Sequence, residues 1–213
     1  MSTPVRYDEQ FCPIARALDV LGDRWTLLII RELGLSDQRF TELRRHLPGI
    51  APTVLTQRLR ELVEAGLVTT RPDGSSRRQA YVLTDRGRDA TPVLRALARW
   101  GMPLLEDRPA DRHLRPRAAV NVAVVAYYDA SAAAGIDERY RLEIDGETVM
   151  LSSVHGGGKA RTAAEVDIVG SADTWIDIRQ GRLTFREART RGLLRVTGAA
   201  RSVGNFTRIF QIP

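Results

Sequence analysis

Phe40-Thr41-Glu42-Leu43-Arg44-Arg45-His46-Leu47-Pro48-Gly49-Ile50-Ala51-Pro52-Thr53-Val54-Leu55-Thr56-Gln57-Arg58-Leu59-Arg60-Glu61-Leu62 is the stretch on which the fold of this chain turns. Residues 40–47 form a short amphipathic segment. Pro48-Gly49 stops it, because proline removes a backbone donor and glycine permits a sharp change of direction. A second helix starts at Pro52, a favourable first-turn position. On a helical wheel Leu55, Leu59, Leu62 and Val63 share one face, while Thr53, Thr56, Gln57, Arg60 and Glu64 fall largely on the other. One face builds core and the other is free to read something.

Downstream, Gly66 closes the second helix and Leu67-Val68-Thr69-Thr70-Arg71 switches to β-type residues. Pro72-Asp73-Gly74-Ser75-Ser76 is a turn by composition, and Gln79-Ala80-Tyr81-Val82-Leu83 is the returning strand. The series predicts a helix-turn-helix followed by a two-stranded wing whose tip carries Arg77 and Arg78. Two guanidiniums beside a polar-faced helix suit double-stranded DNA, since arginines neutralise phosphates or enter the minor groove while a helix reads base edges. Thr53, Thr56, Gln57 and Arg60 are the candidate base-reading residues. Arg44 is a candidate phosphate contact, and Arg77 and Arg78 are candidate wing contacts.

Upstream, Pro13 to Leu33 is helical by pattern with an interruption at Gly22-Asp23. After the wing, Thr84 caps a predicted long helix running through Trp100, with Ala90, Val93, Leu94, Leu97 and Trp100 along one side and a bend at Pro92. These terminal helices carry more apolar surface than a small winged domain buries by itself. Pairing with a second copy is therefore predicted, and a homodimer would match a two-fold DNA site.

The chain has 213 residues and a net charge of +6, with arginine supplying all its basic groups except Lys159. The front half is only mildly basic, so position matters more than total charge. The N-terminus lacks a basic and apolar signal segment, and no run approaches the roughly 18 apolar residues of a membrane span, so a cytoplasmic protein is expected. A single cysteine excludes an internal disulfide and any cysteine-based metal cluster within one chain. His46, His113 and His155 are scattered without ligand spacing, so neither a metal nor another cofactor is expected. The run His155-Gly156-Gly157-Gly158-Lys159 lacks the following Ser or Thr of a phosphate-binding loop, and no G-x-S-x-G elbow accompanies it. A hairpin loop is the better reading, and with no catalytic constellation in the chain an enzyme is not expected.

The apolar pattern collapses over Asp107-Arg108-Pro109-Ala110-Asp111-Arg112-His113-Leu114-Arg115-Pro116-Arg117. This places a linker at 107–117 between a first domain, 1–106, and a second, 118–213. In the second, Val120 to Ala134 reads as an alanine-rich helix. Tyr140, Leu142 and Ile144 alternate into the hairpin turn Asp145-Gly146, with Val149 and Leu151 returning. Ala164 to Ile168 is a third strand, 174–180 and 184–191 are short helices, 193–197 is a last strand, and Val203 to Phe210 fits a terminal helix. The fold class is α+β.

Cys12-Pro13-Ile14-Ala15-Arg16-Ala17-Leu18-Asp19-Val20-Leu21-Gly22-Asp23-Arg24-Trp25-Thr26-Leu27-Leu28-Ile29-Ile30, Arg39-Phe40-Thr41-Glu42-Leu43-Arg44-Arg45 and Leu55-Thr56-Gln57-Arg58-Leu59-Arg60-Glu61-Leu62 closely resemble HxlR-type winged helix-turn-helix regulators. The likeness extends through Leu83-Thr84-Asp85-Arg86-Gly87 to Trp100-Gly101 and covers about the first half of the chain. It implies a homodimeric bacterial transcription factor whose helix from about Ala51 to Ala65 enters the major groove. It also implies that Cys12 stands at the family's frequent N-terminal cysteine, a redox or electrophile sensor in some members. This chain lacks a second, resolving cysteine, which leaves only a Cys12 to Cys12 bond between subunits or a capped thiol. A buried, inert cysteine is the expectation here.

The second half resembles the sterol carrier protein type-2 fold, through Asp145-Gly146, the Trp175 to Gly181 segment and Gly192-Leu193-Leu194-Arg195-Val196-Thr197-Gly198. That likeness implies an apolar cavity and no chemistry. Trp175, Leu183, Phe206 and Phe210 are its candidate lining, with plain core as the other reading of each. The expected function is a DNA-binding transcriptional regulator controlled by a small apolar ligand. The alternative is a lipid carrier module whose winged half serves dimerisation only.

Overall fold

The computed structural model describes residues 12–73, 78–105, 115–153 and 163–213. Arg77, most of the expected linker and the glycine run at 156–158 lie outside the described residues. The chain divides into two compact units, one ending at Thr91 and the other beginning at Pro92.

The first unit opens with α1 (Pro13–Leu21) and α2 (Arg24–Leu35), separated at Gly22-Asp23 as the sequence predicts. Asp23 starts α2 by accepting a 2.8 Å hydrogen bond from the Trp25 amide, which satisfies one of the unpaired donors of the first turn. Then follow α3 (Phe40–His46) and α4 (Pro52–Glu64). Leu43, Leu55, Leu59 and Leu62 from these helices and Leu47 and Ile50 from the turn between them are buried, as are Ile29, Ile30 and Leu33 of α2. Removing each such side chain from water contributes about 1.5 to 3 kcal/mol. Val63, expected on that buried face, is instead 42% exposed, because it sits at the edge of the stripe beside the helix end.

The wing is the antiparallel pair β1 (Val68–Pro72) and β2 (Gln79–Leu83), in register from Val68 opposite Leu83 to Pro72 opposite Gln79. The Gly66 amide reaches the Val63 carbonyl and the Leu67 amide that of Leu62, so only three residues separate the end of α4 from the start of β1. Beyond β2 the expected single long helix is two elements, α5 (Asp85–Arg88) and α6 (Thr91–Gly101). Pro92 has no N–H to continue the hydrogen-bond ladder, and it fits the first turn of a new helix better than the middle of an old one.

Arg99 of α6 donates to the Ala126 carbonyl at 3.0 Å, and Arg95 lies over the Tyr128 ring, 4.7 Å from its centroid. These contacts join α6 to the second unit, ahead of the 107–117 joint suggested by composition.

The remainder of the second unit comprises α7 (Pro116–Ala123), a 3-10 turn at Val125–Tyr127, β3 (Arg139–Ile144), β4 (Glu147–Ser152), β5 (Val166–Gly170), α8 (Ala172–Arg179), α9 (Phe185–Thr190), β6 (Leu194–Gly198) and α10 (Ala200–Ile209). The sheet order is β4-β3-β5-β6, with β3 and β5 parallel and the outer pairs antiparallel. Asp145 and Gly146 both take positive φ, which turns β3 directly into β4.

The expected helix from Val120 to Ala134 stops at Ala123. Arg179 donates to the Ala123 carbonyl from Nε and Nη2, and Asp129 captures the amides of Ser131 and Ala132, so local side-chain bonds displace the helical ladder. Arg179 also reaches the carbonyls of Phe210 and Gln211 and lies 3.6 Å from the Tyr127 ring centroid. Burial of this cation lowers its pKa to about 10, and it remains charged at neutral pH.

No described helix is long and apolar enough to cross a membrane.

Candidate nucleic-acid interface

Fully buried leucines hold one side of α4 against the first unit's core and leave Thr53, Thr56, Gln57 and Arg60 exposed on the other. Ala51 offers no side-chain cap, and Pro52 has no donor. The Thr53 and Val54 amides accordingly have no partner among the described residues. Such a helix start presents free donors and the positive end of the peptide dipoles, a favourable place for a phosphate.

The polar side chains of α4 are mostly occupied with one another. Arg60 donates to Gln57 Oε1 at 2.9 Å and lies 3.6 Å from Glu64, and the Gln57 amide donates to Glu61 at 2.7 Å. Thr56 returns its hydroxyl to the Pro52 carbonyl at 2.9 Å. These are exposed i,i+3 and i,i+4 contacts, worth a few tenths of a kcal/mol each by the general rule of about 0.2–0.5, so a base edge can displace them. The acidic members, Glu61 and Glu64, lie at the C-terminal end, which leaves α4 from Thr53 to Arg60 as the part suited to a duplex. Arg58 belongs to the scaffold: it bridges Asp23 at 3.1 Å and Glu61 at 2.5 Å.

Arg44 is exposed on α3 and makes no hydrogen bond or ion pair among the described residues. Arg78 is exposed at the base of the wing turn, where its carbonyl accepts from the Asp73 amide at 2.9 Å. The Arg77 candidate lies outside the described residues.

Two positioning residues escaped sequence reasoning. Arg39 binds Glu42 at 2.8 Å while the Arg39 amide donates to the same carboxylate at 2.7 Å, and Arg39 Nε lies 3.6 Å from Asp73 of the wing. Its guanidinium holds the Glu42 carboxyl below the ordinary range. Gln38 is buried, exchanges backbone bonds with Tyr81 of β2, donates its side-chain amide to the Glu32 carbonyl at 2.8 Å and faces His46 Nδ1 at 2.6 Å. α2, α3 and the wing are thereby knitted through one residue, its side chain holding the helices and its backbone the wing. A buried glutamine has no periodic or local signature by which sequence could announce it.

Cys12 stands at the N-cap of α1 in extended backbone geometry and is half-buried, more accessible than the sequence reading expected.

In the second unit Trp175, Leu183, Phe206 and Phe210 are all buried. Phe206 packs 5.1 Å from both Tyr140 and Phe210, and Trp175 lies 6.2 Å from Phe206 and from Phe185. The rings form a buried aromatic cluster, where edge-on and tilted pairs add about 0.5 to 1.5 kcal/mol each to burial. The Trp175 indole N–H, buried there, has no hydrogen-bond partner among the described residues.

Residues 20–109 match the family model described as HxlR-like helix-turn-helix. The chain is 45% identical over 89 residues to an uncharacterized HTH-type transcriptional regulator of Mycobacterium tuberculosis, an alignment covering 41% of this chain and 56% of that protein. It thus spans little over half the length of that relative. YvaP, an uncharacterized HTH-type transcriptional regulator of Bacillus subtilis, is 36% identical over 43% of this chain and 86% of its own length. The solved structure of the transcriptional regulator YodB from B. subtilis in its reduced form is 29% identical, with a TM-score of 0.39, and is matched over 48% of this chain and 100% of that one.

Proposed function

This chain belongs to the HxlR-like helix-turn-helix family, and from that membership we propose a DNA-binding transcriptional regulator that acts as a homodimer under the control of a small apolar or amphipathic ligand. The observation that carries the reading is α4, anchored by leucines on one side and offering an uncapped start and an exposed polar face on the other. In this reading Thr53, Thr56, Gln57 and Arg60 contact base edges, Arg44 a phosphate, and Arg78 the backbone beside the wing.

Dimerisation is supported by apolar surface that each unit leaves open. In the first unit Ile14 and Leu18 of α1 are exposed. In the second, Val93, Leu97 and Trp100 form a stripe at helical spacing on α6 and Leu104 follows in the 3-10 turn at Met102–Leu105, with Trp100 74% and Leu104 69% exposed. Large apolar side chains grouped in this way mark an interaction surface. The second unit, which resembles a sterol carrier domain, is the proposed ligand-responsive part. A ligand shifts DNA affinity only through unequal binding to the two DNA-binding states, and coupling of about 1 to 3 kcal/mol is typical.

The test is fluorescence anisotropy of full-length protein on its own promoter DNA and on random duplexes across a salt series. Preference for the promoter is expected, with Arg44→Ala lowering the salt slope by about one for the lost phosphate contact. Equal binding to promoter and random DNA would overturn the proposal.

A further inference from the structure

The segment between the 3-10 turn and β3 does not pack flat. It borders an open depression of about 510 Å³, within the general range of about 300 to 1,000 Å³ for small-molecule sites, with Ala130, Ala134, Gly135 and Asp137 exposed along it. Tyr128, Ala133, Ala134 and Ile136 supply apolar wall, Ser153 lines it beside them and Asp137 stands at the exposed rim.

Hydrogen bonds brace the walls before any ligand arrives. The Tyr128 hydroxyl donates to the Ser153 carbonyl at 2.8 Å, and Ser153 Oγ donates to the Ile136 carbonyl at 2.7 Å and accepts from the Glu138 amide at 2.8 Å. Neighbouring carboxylates are occupied: Glu138 accepts from Tyr140, Ser202 and Asn205, and Asp129 accepts from Ser131, Ala132 and Gln211. Asp137 is different. It makes no hydrogen bond or ion pair among the described residues, so its charge is available to whatever enters.

We infer that this pocket binds an amphipathic organic amine, with the apolar body against Tyr128 and the alanines and the ammonium on Asp137. Trp175 and Phe206 do not line the site, whose Tyr128 wall backs onto their cluster 5.8 Å from Phe210. Arg95, over the Tyr128 ring, is not among the side chains that line it. Small alanine side chains provide the space, and the free carboxylate sets the sign of the ligand's charge. As the identity of a regulatory effector, the inference rests on the ligand-controlled reading above; as a binding site, it does not.

The experiment is isothermal titration calorimetry of the full chain at neutral pH with n-octylamine, 1-octanol and octanoate, which share a body and differ in charge. Octylammonium is expected to bind most tightly and octanoate least. Octanol should be weaker than octylammonium by about fivefold, the scale of an exposed ion pair. Asp137→Asn should bring octylamine down to the affinity of octanol. Ala134→Trp, an exposed substitution, should abolish binding of both.

Octanoate binding as tightly as octylamine, or binding of both amine and alcohol unaffected by Ala134→Trp, would overturn the site. Promoter affinity measured with the pocket saturated separates the two readings. Octylamine binding with unchanged promoter affinity would overturn ligand control and leave the pocket standing, whereas no octylamine binding would overturn the pocket and leave the regulator reading untouched.

Discussion

Arg60 and Arg58 sit two residues apart on α4, yet the structure assigns them opposite consequences on replacement by alanine. Arg60 leans on Gln57 and Glu64, with its side chain 66% exposed and that of Glu64 67% exposed. Solvent-screened contacts of this kind contribute about 0 to 1 kcal/mol, and alanine's helix propensity offsets part of the loss. Arg60→Ala should therefore change unfolding free energy by no more than about 0.5 kcal/mol. If Arg60 reads a base, the same change costs about 1 to 3 kcal/mol of operator binding, roughly 5- to 150-fold, confined to particular base pairs.

Arg58 is held by Asp23 and Glu61 and is only 28% exposed, so its removal leaves two carboxylates without their cation between α2 and α4. A loss of about 1 to 2 kcal/mol in stability is expected, with sequence preference intact. Thermal denaturation gives the first quantity, and anisotropy on an operator with its single-base variants gives the second. Arg60→Ala weakening every duplex by the same factor, or Arg58→Ala altering base preference at full stability, would refute the assignment of roles.

The junction after the wing gives a stability test: a Cβ on Gly87 would lie 2.0 Å from the Leu67 carbonyl oxygen, a backbone atom, so Gly87→Ala should cost about 1 to 3 kcal/mol and lower the melting temperature. Acid titration probes the turn that walls the pocket. The Ser131 hydroxyl first, with the Ala132 amide and Gln211, holds Asp129 down to about 2 from its ordinary 3.8. A depressed carboxyl contributes stability present above its unfolded pKa, so this contribution should be lost as pH falls from about 4 to about 2. An NMR titration of the Asp129 carboxyl should show its midpoint near the lower value, and Asp129→Asn should remove that part of the acid dependence. At the start of α1, Cys12→Ser places a good capping hydroxyl where the thiol makes no cap bond, so stability should stay level or rise by at most about 1 kcal/mol. Promoter affinity under reducing conditions should not change. An oxidant-dependent dimer on non-reducing electrophoresis that is absent from Cys12→Ser would contradict the inert-cysteine reading.

Much of the first unit was determined by short-range rules. The Pro48-Gly49 stop, Pro52 in a first helical turn, the leucine period of α4 and the switch to β-branched residues after Gly66 each act within a few residues, so their positions in sequence and in the fold nearly coincide. The same holds for Asp145-Gly146 and for the capping box at Thr184 and Glu187. Tertiary structure decided what depends on partners distant in the chain. Arg179 ended α7 by taking the Ala123 carbonyl, the Asp129 amide bonded the Ile209 carbonyl beyond it, and Arg95 and Arg99 tied α6 to Tyr128 and Ala126. Arg44 and Arg58 are alike as letters near the same helix, but one is unpaired among the described residues and the other is bound by Asp23. Trp175, Phe206 and Phe210 were apolar enough for a cavity wall or for core. In the fold they are buried and pack on one another, a contact that apolar composition alone does not specify, because composition sets which side chains leave water and three-dimensional packing sets what they touch.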